Sequence, residues 1–139
     1  MSTRQQSTKS QTQAPAARPA EAEQSRTRLK SARADVEARI TALQRSHDDL
    51  VASAADAPND DEHDPEGVTV AFERAQIDSL LHESQRELLE IDDALTALDA
   101  GGYGICRECG DTIPQARLEA LPGVALCMTC AAKRYREAS

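Results

Sequence analysis

Cys106-Arg107-Glu108-Cys109-Gly110 and, further on, Cys127-Met128-Thr129-Cys130 are the stretches that decide how this chain folds. They form two C-x2-C pairs separated by 17 residues, and they hold all four cysteines of the protein. Four thiolates in two close pairs supply what a tetrahedral zinc ion requires. The two-residue spacer lets both sulfurs of a pair face one point, and Gly110 permits the tight turn behind the first pair. Two disulfides or a redox C-x-x-C are the competing readings. Met1 to Pro19 is polar and has no signal-peptide apolar run, so a reducing, cytoplasmic setting is expected and disulfides are disfavoured there. A βαβ context for a redox pair is missing. With four sulfur ligands the coordination sphere is full, so one Zn2+ is expected to hold structure and to perform no chemistry.

Outward from this module, the composition limits the rest. The chain has 139 residues, a net charge of -8, no Trp and only three aromatics, Phe72, Tyr103 and Tyr135. Such an Ala- and Leu-rich mix suits helices interlocked along a seam and cannot fill a wide sheet-based core. The acidic balance argues against a protein that wraps nucleic acid on its own. No stretch approaches 18 apolar residues, so no membrane span is expected.

Upstream, residues 1–20 are rich in Ser, Thr, Gln, Ala and Pro and read as a disordered tail. From about Glu21 to Ala55 one helix is predicted. Leu29, Val36, Leu43 and Leu50 recur every seven residues, with Arg33, Ile40, His47 and Ala54 four positions after each. His47 is read as a polar seam residue facing the partner helix. The pattern stops at 56–67, where Pro58, Asn59, Pro65 and Gly67 signal a loop carrying Asp56, Asp60, Asp61, Glu62, Asp64 and Glu66 with no Lys or Arg. A second helix is predicted from about Thr69 to Asp99, with Ile77, Leu81, Ser84, Leu88, Ile91, Leu95 and Leu98 on its seam. Phe72 is expected to pack against the first helix, with a partner contact as the other reading. Helices of similar length joined by a short break fold back as an antiparallel hairpin. Gly101, Gly102 and Gly104 then hand over to the finger. From Met128 a short last helix carries Lys133, Arg134 and Arg136 near its C-terminus.

The expected fold is therefore mostly α, in three parts. Residues 1–20 form the tail, 21–100 a long antiparallel coiled-coil hairpin with an acidic tip loop at 56–67, and 101–139 a small four-cysteine finger with a short C-terminal helix. No nucleophile, general base pair or phosphate-cradling loop is present, so no enzymatic activity is expected.

At this point Cys106-x-x-Cys109-Gly110-x-x-Ile113, Arg117-Leu118-Glu119-Ala120-Leu121-Pro122 and Cys127-x-x-Cys130 resemble the zinc-finger signature of the DksA/TraR transcription regulators. Gly102-Tyr103-Gly104 is similar to the turn that leads into that finger. The resemblance implies direct binding to bacterial RNA polymerase without recognition of a DNA sequence. It also implies a coiled coil that enters the secondary channel and alters initiation through its tip. On this reading Asp60, Asp61, Glu62, Asp64 and Glu66 are the partner-binding tip, and Arg117, Lys133, Arg134 and Arg136 are candidate polymerase or phosphate contacts. The chain is expected to act as a monomer in the cytoplasm. The family's Asp-x-x-Asp tip pattern is matched only at Asp64; Gly67 or Glu66, depending on register, stands where the second aspartate belongs. Basic residues that help a family member bind the alarmone ppGpp are replaced by Leu121, Ala131 and Glu90, so the resemblance implies weak or absent ppGpp dependence. The alternative is a zinc-stabilised coiled-coil adaptor that binds another protein or self-associates. A DNA-binding module is disfavoured, because three cations beside a strongly acidic arm and no base-reading helix fit it poorly.

Overall fold

A computed structural model describes residues 19–56 and 65–138, with side chains from 21 to 55 and from 67 to 138. The predicted tail and the carboxylates of Asp56, Asp60, Asp61, Glu62, Asp64 and Glu66 lie outside the described side chains. The elements are α1 (Pro19–Asp56), α2 (Pro65–Asp99), α3 (Gln115–Ala120) and α4 (Met128–Ala138). Among the described residues there is no named strand, only an isolated antiparallel bridge between Ile105 and Thr112.

Helices α1 and α2 pack along their length as the expected hairpin. Neither contains a proline after its first residue, and both are dominated by Ala, Leu, Glu, Gln and Arg, which lose little side-chain freedom in a helix. Their 38 and 35 residues make an arm on the order of 50 Å long. The second helix starts at Pro65, earlier than the expected Thr69. Read from sequence, Pro65 looked like a breaker; at the first helical position its fixed φ and missing N–H cost nothing and favour initiation.

The seam follows the heptads. Leu29, Val36, Ile91, Ala94 and Leu98 are buried and form the arm's core, with Ile40, Leu88 and Leu95 packed against it. Ser84 is buried on the same seam, and Leu43, His47, Leu50, Ile77 and Leu81 are half-buried. Burial thus fades away from the foot. At residues 51–55 every side chain is exposed, Ala54 included. Phe72 is 72% exposed and does not pack on α1. At that level α1 offers Ala52, Ser53 and Ala54, which are too small to cover the ring.

Register is pinned by a ladder of cross-hairpin ion pairs. Arg26 meets Asp99, Arg33 meets Asp92, Arg39 meets Glu87 at 2.9 Å, and His47 Nε2 lies 3.4 Å from Asp78. The residue numbers of each pair sum to 125 or 126, so one antiparallel register satisfies all four rungs. In every rung the basic or imidazole partner is on α1 and the carboxylate on α2. Each exposed pair stabilises little alone; together they oppose slippage, because a shifted register would unmake all of them. His47 therefore occupies the polar seam position expected of it.

The arm ends in a Schellman turn. Gly102 N donates to Ala97 O at 2.8 Å and Gly101 N to Leu98 O at 3.2 Å, with Gly101 at φ +80°. No described helix is long and apolar enough to cross a membrane.

Candidate metal centre

The finger is built by short loops whose backbone donors converge on sulfur. Cys106 N donates to Asp111 O and Gly110 N back to Cys106 O, closing a tight turn around the first pair. Gly110 sits at φ +75°, where a side chain would be strained, as its place behind Cys109 predicted. Arg107 N donates to Ala125 O, so the first loop is tied to the chain that delivers the second pair. Cys127 and Cys130 stand at the start of α4, and Cys130 N points at Cys127 Sγ at 3.5 Å.

All four sulfurs, of Cys106, Cys109, Cys127 and Cys130, lie within 4.8 Å of one another. Cys109 Sγ and Cys127 Sγ are 3.7 Å apart. A tetrahedron with Zn–S bonds of about 2.3 Å has sulfurs about 3.8 Å apart, so the spacing fits zinc. Electrostatics agrees. Backbone N–H groups, Cys109's first and then Cys127's, hold the Cys106 thiol down to about 6, which favours a thiolate at neutral pH. Cys130 is pushed up to about 12, chiefly by its hydrogen bond with the Cys127 thiol. Four negative sulfurs cannot share so small a space unaided; a divalent cation inverts that balance and draws the remaining protons off. The module carries one structural zinc, held by four cysteines with no position left for a substrate.

Little else holds the finger together. Its core consists of buried Cys106, Ile113 and Leu118, with Tyr103, Val124 and Leu126 against them. Tyr103 also packs on the arm's core, so one ring belongs to both clusters. Its hydroxyl donates to Pro122 O at 2.9 Å, and burial raises its pKa above the ordinary phenol value. Next to it Gly123 rests on α2: a Cβ there would come within 3.1 Å of Ile91 Cγ1 and of Ile91 N. Sequence reasoning did not assign Gly123 or this role for Tyr103. The Pro122-Gly123 dipeptide signals a turn, but nothing local says that the turn lies against a helix some thirty residues earlier.

The candidate contact residues divide. Arg117 Nε donates to Leu126 O at 3.1 Å and helps hold α3 to the second loop, an internal use of that side chain. Arg134 pairs with Glu108. Lys133 and Arg136 are exposed on α4. Met128 and Tyr135 are exposed there too, at 69% and 79%. Leu121 is exposed, Ala131 is half-buried, and Glu90 lines a cleft of about 300 Å³ with Asp93, Arg107, Tyr103 and Gly123. Burial raises the Glu90 carboxyl above its ordinary value.

Comparison with known proteins places the module. Residues 101–136 match the family described as the prokaryotic dksA/traR C4-type zinc finger. An uncharacterized protein of Aquifex aeolicus (strain VF5) is 43% identical over 61 residues, which cover 44% of this chain and 42% of that protein. General stress protein 16O of Bacillus subtilis is 40% identical over 63 residues, covering 45% and 38%. The chain thus spans less than half the length of these curated relatives. The solved structure of transcription factor DksA2 from Pseudomonas aeruginosa superimposes with a TM-score of 0.66 at 25% identity, covering 86% of each chain.

Proposed function

We propose that this chain, which resembles the DksA/TraR C4-type zinc-finger proteins over residues 101–136 and shares the fold of a DksA protein, binds bacterial RNA polymerase and inserts its acidic tip into the secondary channel to modulate initiation. The observation that carries this reading is the arm itself: about 50 Å of stiff hairpin, register-locked and seated on a metal-clamped foot. At its far end the sequence concentrates six carboxylates between Asp56 and Glu66 with no compensating cation. A slender rod of that length delivers carboxylates to the bottom of a channel or near a partner's bound metal ion, where hard oxygen groups act. In neither register is the tip's Asp-x-x-Asp pattern completed, since Gly67 or Glu66 stands at its second position.

Transcription in vitro with purified polymerase tests this. Charge reversal as Asp64→Lys with Glu66→Lys abolishes the effect on initiation and, at high salt, leaves binding through arm and foot in place. Failure of the parent chain to comigrate with core polymerase would remove the reading in favour of the adaptor. At the foot, Glu90 in the junction cleft repels a polyphosphate and Leu121 and Ala131 offer it no cation, so added ppGpp leaves the affinity for polymerase little changed.

A further inference from the structure

Two runs of the arm carry no Asp, Glu, Lys, Arg or His: Leu50 to Ala55 on α1 and Gly67 to Phe72 on α2. Elsewhere between Glu21 and Asp99, within the helices, no six consecutive residues lack Asp, Glu, Lys and Arg. The register fixed by the ladder sets the two runs at the same end of the hairpin, immediately below the acidic segment. Each run of six spans about 9 Å of helix axis. Together they make an uncharged collar: Leu50 and Val70 are half-buried, whereas Val51 is 38%, Val68 72% and Phe72 72% exposed. Phe72 is the only Phe of the chain. A solvated hairpin gains nothing from exposing it, whereas apolar groups that are buried on binding are where affinity concentrates.

We propose that this collar is the arm's docking surface for a protein wall that offers apolar groups at its rim and basic side chains beyond. Charge order along the rod argues for that occupant, since six carboxylates precede an uncharged band. They need cations past the point where the band is gripped. The inference rests on the polymerase reading above and divides labour within it: Val68 and Phe72 hold the arm, and the carboxylates act.

The test uses the full-length, zinc-loaded chain and immobilised core RNA polymerase, read by biolayer interferometry at low and high salt. Val68→Ser with Phe72→Ser weakens binding about tenfold or more at both salts, as truncating a buried aromatic anchor does. Phe72→Gln alone gives a smaller loss in the same direction. Both variants melt with the parent, because the altered side chains are exposed. Asp61→Asn with Asp64→Asn changes binding only at low salt. Unchanged affinity of the double Ser variant while the parent binds overturns the collar and leaves the polymerase reading standing. A parent that does not bind overturns both.

Discussion

Gly123→Ala tests how the finger is fixed to the arm. The new methyl carbon would stand 3.1 Å from Ile91 Cγ1, 3.1 Å from Ile91 N and 3.3 Å from Glu90 C. Ordinary carbon contacts are about 3.5–4.0 Å, and two of these three neighbours are helix backbone, which cannot swing aside. Overpacking of this kind costs about 1–3 kcal/mol. Replacing glycine also stiffens the unfolded chain, which returns about 0.4–1 kcal/mol. The net expectation is a loss of about 0.5–2 kcal/mol, or about 2–8 °C in melting temperature for a chain of this size. Circular dichroism at 222 nm measures it, and zinc content by a colorimetric release assay is expected to stay at one ion per chain, since no ligand moves. In an Ile91→Ala background one of the three contacts disappears, so the cost of Gly123→Ala shrinks without vanishing, by about 0.5 kcal/mol or more. A Gly123→Ala chain that melts at or above the parent temperature, or a cost identical in both backgrounds, would refute the docking of this turn on α2.

Removing the metal with a chelator, or changing Cys130 to Ser, should unfold the finger and spare the arm, because Leu29, Val36, Ile91, Ala94 and Leu98 form a separate core; structural zinc sites contribute on the order of 10 kcal/mol. A loss of the arm's helical signal in step with zinc release would contradict this. Leu29→Ala empties a fully buried seam position and is expected to cost about 2–5 kcal/mol in urea unfolding. Glu90→Gln should raise the melting temperature slightly at pH 7. Burial lifts the folded carboxyl above its usual 4.5, so the folded state takes up protons more readily and ionisation of Glu90 opposes folding as pH rises through that range. The gain should therefore disappear when the melts are repeated well below pH 4.5, and a gain that persisted there would have another origin.

Much of this was legible before any coordinates. Heptads at Leu29 and Val36 and at Ile91 and Leu98 report a seam because burial on a helix is periodic, and cysteine spacing reports a metal because tetrahedral sulfur geometry leaves few alternatives. Pro65 misled because the same ring that breaks a helix inside starts one at its first position. Phe72 misled because hydrophobicity favours burial without guaranteeing it, and α1 has only small side chains opposite that ring. Gly123 was silent: a missing methyl leaves no pattern, and only the approach of α2 gives it meaning.

The ladder along the arm has a consequence for company as well as register. Every rung sets a cation or imidazole of α1 against a carboxylate of α2. Were two copies to align α2 beside α2, Glu87, Asp92 and Asp99 would confront their own kind, and like charges side by side are penalised. At these three positions, then, an in-register parallel pairing of α2 with α2 is disfavoured.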